Sequence, residues 1–199
     1  MIYIGLPQWS HPKWVRLGIT GLDAYARHFN CVEGNTPLYA LPQPELVARW
    51  REQTHDDFRF CFKFPATISH RAALRNCGEL TAEFFTRLAP LADRIGQYWL
   101  QLPATFAPRD LPALWAFLDA LPAGFTYGVE VRHPQFFAKG DDELQLNQGL
   151  HARGVNRVIL DSRPVHSAPA RSEAMIEAQR KKPKLPVHAV VTANNPLVS

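Results

Sequence analysis

The chain of 199 residues has three cysteines and two methionines. It has no apolar run approaching the roughly 20 residues that cross a bilayer, and no basic n-region leading into an apolar stretch and a small-residue cleavage site. These absences argue against a disulfide scaffold, a membrane-spanning helix and secretion. The expectation is a cytoplasmic protein with no membrane association, its thiols at Cys31, Cys61 and Cys77 reduced and partly buried. Charge of one sign is not concentrated either. The 22 Lys and Arg face 18 Asp and Glu, and only Arg180-Lys181-Lys182-Pro183-Lys184 forms a run. Such a run is ordinarily a solvated loop, so a nucleic-acid partner is not expected from charge alone. Also missing are the P-loop pattern, a G-x-G-x-x-G after a strand, H-E-x-x-H and G-x-S-x-G. Nucleotide-triphosphate hydrolysis, dinucleotide redox chemistry and the common hydrolases lose their usual support, and no cofactor is named by the sequence.

What is present is a periodicity. Five short apolar runs end on a polar side chain: Val32-Glu33, Phe62-Lys63, Leu100-Gln101, Val129-Glu130 and Leu160-Asp161, separated by 30, 38, 29 and 31 residues. Most of each interval is an amphipathic helical pattern, which makes the repeat a strand–helix unit and favours parallel strands joined by crossovers. The patterns predict strands over residues 2–5, 31–33, 58–64, 98–102, 126–131 and 158–161, and helices over 22–29, 44–53, 79–91, 111–121 and 141–153. With 46% hydrophobic residues the chain can fill one α/β domain. In the run 58–64, Phe58, Phe60 and Phe62 alternate against Arg59, Cys61 and Lys63, so Lys63 lies on the face away from the phenylalanines. Residues 162–186 break the repeat with a long Pro-, Ala- and Lys-rich loop insertion, containing one helix near 172–181 and followed by a β-like run at 187–192.

In parallel α/β folds the C-terminal strand ends open onto the ligand site, so the five strand-final groups are read first as chemistry. Glu33 and Glu130 could act as acid and base or share a divalent metal; the ordinary alternative is that each salt-bridges a nearby cation. Lys63 could bind an anion, act as a base or form an imine, or simply partner a carboxylate. Arg132 and His133 follow Glu130 directly and suit an anionic substrate. His70 could ligate metal or carry a proton, though a loop histidine is more often a hydrogen-bonded structural residue. Trp9, Tyr39 and Trp99 could stack on a substrate or belong to the core, Asn35 lies in the loop after Glu33, and Gln101 and Asp161 could hold the other groups in place. Whether a metal is bound stays open.

The ordered set Ile2-Tyr3-Ile4-Gly5-Leu6-Pro7-Gln8-Trp9-Ser10, Val32-Glu33-Gly34-Asn35-Thr36 with Tyr39, Phe62-Lys63-Phe64-Pro65 with His70, Gln101-Leu102-Pro103, Val129-Glu130-Val131-Arg132-His133-Pro134 and Leu160-Asp161-Ser162 resembles the YecE-like family over essentially the whole chain. That resemblance implies a TIM-barrel-like fold and a protein of unknown function. It departs at the opening, where the family has Gly-Thr-Ser-Gly-Trp and this chain has Gly5-Leu6-Pro7-Gln8-Trp9. Family members also continue through a seventh and an eighth strand, whereas here a seventh would be starting at residues 195–199. The expectation is an incomplete (β/α) barrel with exposed strand edges prone to self-association. The function expected is enzymatic, on a small polar, anionic or sugar-like substrate. A binding protein that contacts nucleic acid or a protein partner is the alternative.

Overall fold

Parallel hydrogen bonding organises the first of the two units, Met1–Leu100 and Gln101–Ser199, into which residues 1–199 of this computed structural model divide. In the first unit the strands β1 (Gly5–Leu6), β2 (Cys31–Gly34), β3 (Arg59–Lys63) and β4 (Ile95–Gln101, whose last residue opens the second unit) lie side by side in chain order. They are joined by helices α1 (Leu22–Tyr25), α2 (Thr36–Tyr39), α3 (Pro44–Glu52) and α4 (Gly78–Leu88). β1 is shorter than residues 2–5 predict, because Asn30 intercepts it. The Asn30 side chain accepts from the Ile4 N–H and donates to the Ile2 carbonyl, and residues 1–4 stay exposed. Where β1 does pair, Gly5 is required: a Cβ there would land on the Cys31 carbonyl oxygen. The fully buried Tyr25 hydroxyl bridges the two strands, accepting from the Leu6 N–H at 2.7 Å and donating to the Cys31 carbonyl at 2.9 Å. Burial pushes that phenol up to about 12.

The phenylalanine face of β3 meets α3. Phe60 and Phe62 stack with centroids 5.0 Å apart, and Trp50 of α3 stacks on Phe62 at 5.5 Å. Gly34 lets this happen, since a Cβ there would collide with the Phe62 ring. Phe64, Phe84, Phe85 and Tyr98 form a second aromatic cluster where α4 covers β3 and β4. Helix α4 ends at Leu88, not near residue 91 as the pattern predicts, and the chain tightens into a 3₁₀ segment, Ala89–Arg94. Pro90 sets that boundary, because it lacks the N–H that a continuing helix needs.

In the second unit, β5 (Tyr127–Glu130) pairs in parallel with β6 (Asn156–Arg157), with α5 (Leu111–Asp119) and α6 (Asp141–Ala152) as the long helices. The core is mainly aliphatic, with Leu114, Val129, Leu146, Leu150 and Val158 buried beside Phe106, Phe117 and Phe136. β6 starts two residues earlier than 158–161 predicts, and Ile159 continues it as a single parallel bridge to Val198. Residues 187–192 form no strand. Thr192 instead plugs the β6 backbone, its hydroxyl accepting from the Arg157 N–H and donating to the Val155 carbonyl. The insertion carries two helices, α7 (Arg163–Ser167) and α8 (Glu173–Lys181), the second capped by the Ser172 hydroxyl. No helix is long and apolar enough to cross a membrane.

Candidate functional site

The register of the first unit assembles one group of side chains. Glu33 lies opposite Cys61 and Lys63 opposite Trp99, so these strand-final residues share the face away from the phenylalanines. Lys63 Nζ is 2.8 Å from Glu33 Oε1, and it sits 4.4 Å from the centre of the Trp99 ring. The lysine side chain is 5% exposed and the glutamate 16%. An anionic carboxylate and the negative face of an indole both attract a cation, and a charge removed from water requires such partners. Trp99, a candidate for ring stacking on a substrate, is thus the floor beneath the ammonium. Cys31 and Cys61 share this face, but burial pushes their thiols up to about 11 and about 12, too high for nucleophiles.

The segment after β3 is the most irregular backbone in the chain. Thr67–Arg71 makes a π turn, closed by the Ala72 N–H to the Thr67 carbonyl, and Ala73, Leu74 and Asn76 follow with φ of 46°, 66° and 50°. Left-handed conformations cost non-glycine residues roughly 1–3 kcal/mol each, and both π turns and such strain concentrate at functional sites. Exposed His70 lies on this turn, with its Nδ1 2.7 Å from the Oγ of fully buried Ser69. Ser69 carries no pattern that marks it in the sequence. Asn35 donates to the Pro7 carbonyl at 3.1 Å, tying together the loops after β1 and β2, and Tyr39 at the end of α2 is 81% exposed. Trp9 packs edge-on against Trp50 and Phe60, which places it among the core aromatics.

The second unit handles its strand-final residues differently. Glu130 is buried, and its Oε1 accepts from Arg132 Nε at 3.0 Å and from a terminal guanidinium nitrogen at 2.9 Å. Arg132 also donates to the Lys181 carbonyl. The next two carbonyls past α8 are captured too, that of Lys182 by His166 Nε2 at 3.0 Å and that of Pro183 by the Ser162 hydroxyl at 2.7 Å. Arg132, two residues past β5, and two donors from the start of the insertion, Ser162 and His166, thus pin the segment that follows α8. His133 does not join Glu130; its Nδ1 accepts from the Gln135 N–H and caps the following 3₁₀ turn. Asp161 is held by Arg163, whose hydrogen bonds keep the carboxyl below its usual range. Gln101 is half-buried at the end of β4. No three His, Cys, Asp or Glu side chains come together in a way that could hold a metal ion.

One open cavity of about 440 Å³ lies between Ile2, Ile4, Phe29 and His55. Its residues precede β1, β2 and β3, at the strand starts, whereas ligands of parallel α/β folds sit at the strand ends. The Glu33–Lys63 end is therefore the candidate site.

The chain matches the family described as "Protein of unknown function DUF72" over residues 3–198, and it belongs to that family. The protein called UPF0759 protein YecE in Escherichia coli K12 is 79% identical over 198 residues, which make up the whole of this chain and 73% of that protein. Its counterpart in Escherichia coli O157:H7 is 78% identical over the same span. Among solved structures, a DUF72 family protein from Enterococcus faecalis V583 superimposes with a TM-score of 0.74 at 22% identity, over 99% of this chain and 69% of that one. One from Thermotoga maritima MSB8 gives 0.70 at 19% identity, over all of this chain and 73% of that one. These likenesses establish the parallel α/β, TIM-barrel-like fold.

Proposed function

We propose that this DUF72 member is an enzyme for a small polar substrate bearing an oxyanion, worked at the Glu33–Lys63 strand ends. The observation that carries the reading is the buried Lys63 ammonium, 2.8 Å from Glu33 Oε1 and backed by Trp99. Lys63 takes the role of anchor for a carboxylate or phosphoryl oxygen, for which a compact cation with three donors is suited. Glu33, the more exposed partner, takes the role of proton acceptor, displaced from the ammonium when the anion arrives. An imine at Lys63 is the poorer reading, because Glu33 and the face of Trp99 already occupy the amine.

A thermal-shift screen of carboxylated and phosphorylated metabolites, with hits checked by native mass spectrometry, tests this. Wild type should be stabilised by a subset of the anions. Lys63→Met should lose that response by tenfold or more in affinity, the scale of about 1.4 kcal/mol, while Glu33→Gln should keep binding and lose turnover of the identified ligand. Binding that is the same in Lys63→Met as in wild type would sink the proposal.

A further inference from the structure

The cavity at the strand starts of the first unit has tied walls and a charged rim. Its volume of about 440 Å³ lies within the roughly 300–1,000 Å³ of small-molecule sites. One wall is formed by Ile2 and Ile4, 82% and 65% exposed. The Asn30 side chain holds both in place, accepting from the Ile4 N–H at 2.7 Å and donating to the Ile2 carbonyl at 2.9 Å. His55 ties another part of the lining, its Nε2 lying 3.2 Å from the Ala26 carbonyl oxygen. A carbonyl only accepts, so that nitrogen carries a proton, and an acceptor that would repel an anion is already engaged. Phe29 adds an aromatic ring, stacked on Tyr25 with centroids 4.8 Å apart. Arg27 and His28 complete the lining. Both are exposed, and neither side chain makes a hydrogen bond or an ion pair within the protein. No carboxylate lines the cavity.

We infer that this cavity is a second ligand site, for a small organic carboxylate with an apolar body. The two isoleucines and Phe29 offer that body a surface against which both sides leave water. The Arg27 guanidinium has five donors and no acceptor, and its planar fork matches a carboxylate through two parallel N–H···O bonds. An inorganic anion would leave the isoleucines wet, and an ammonium would meet an arginine with no carboxylate beside it. The cavity lies at the opposite end of the strands from Glu33 and Lys63, which close β2 and β3. It therefore takes no part in the chemistry proposed at that end and does not rest on it.

Phenylacetate and its uncharged counterpart phenylacetamide test the site. In 1H–13C methyl spectra, with Ile2→Val and Ile4→Val to assign the two signals, phenylacetate should move the Ile2 and Ile4 methyls saturably. Phenylacetamide should bind at least tenfold more weakly, the loss expected when a charged hydrogen-bonding partner is removed. Arg27→Gln, a change at an exposed position, should lose the same factor for phenylacetate and bind the amide as wild type does. Equal affinity of wild type for the acid and the amide overturns the inference without any variant. A phenylacetate titration that leaves the Ile2 and Ile4 methyls unmoved also overturns it, as does a response that survives Arg27→Gln at full affinity. Lys63→Met separates the two ends of the strands. If the Ile2 and Ile4 response is lost in that variant, the cavity assignment fails; if it is unchanged, the cavity stands whether or not Lys63 proves to be an anion anchor.

Discussion

Two buried ion pairs, one in each unit, have opposite surroundings. In the second unit Arg157 is 2% exposed and its guanidinium meets Glu143, Asn147 and the Phe136 carbonyl, while Glu143 also accepts from His188 at 2.6 Å and from the Lys139 N–H. Donors and acceptors on that pair are matched on both sides, and the pair joins α6, β6 and the segment at residue 188. In the first unit Lys63 meets one carboxylate and one indole face, and its partner keeps contact with solvent. The difference separates a structural pair from a site. A pair whose hydrogen-bonding capacity is used up by the fold has nothing to offer a ligand, whereas a three-proton ammonium with one carboxylate does.

The largest effect should come from breaking the structural pair. Glu143→Ala leaves the Arg157 charge buried without its carboxylate, and urea denaturation should show a loss of about 3–5 kcal/mol. Lys63→Met, by contrast, removes the buried charge and leaves Glu33 where water can reach it; its stability should stay within about 1 kcal/mol of wild type in the same assay, with the ligand response lost. Equal losses in the two variants would collapse the comparison and make Lys63 structural.

Acid sharpens the same contrast. Burial pushes the Glu143 carboxyl up, but the hydrogen bonds from His188 and the Lys139 N–H and the charge and hydrogen bond of Arg157 outweigh it, so it lies below its ordinary 4.5. The unfolded state then binds the proton more readily, so this group's stabilisation is complete above that ordinary value and fades as pH falls below it towards the folded value. The stability of Glu143→Gln should therefore fall less steeply than that of wild type over that acidic window, measured by denaturant midpoints at each pH. A parallel decline in both would remove Glu143 as the acid-sensitive element. Smallest of all should be Tyr39→Ala at an 81% exposed position, within about 0.5 kcal/mol of wild type in stability. Any loss of ligand response in that variant would then report a contact with ligand.

The parallel strand–helix repeat could be read along the chain because each buried strand had to be a short apolar run and each crossover an amphipathic helix. The alternation in 58–64 even put Lys63 on the correct face. Element ends were less legible. Asn30 taking over the backbone of residues 2–4, and Thr192 reaching back to β6 in place of forming a strand, are contacts between residues 26 and more positions apart, with no local signature. The same holds within the candidate site. Glu33, Lys63 and His70 stand out by type and place, whereas the contact of Trp9 with Trp50 and the turn cap made by His133 have no local signature. Ser69, beside His70, has no pattern that marks it in the sequence.

What the sequence alone determined is the order and kind of the elements, and which polar groups end the strands, because hydrophobic period and strand length are local properties. Only the tertiary structure decided which of those groups meet. Glu33 reaches Lys63 and Trp99 through strand register, Glu130 is held by an arginine two residues away, and Arg157 is matched from α6 and from residue 188. Register and packing fix such distances to a few tenths of an ångström, and a hydrogen bond or an ion pair depends on that scale.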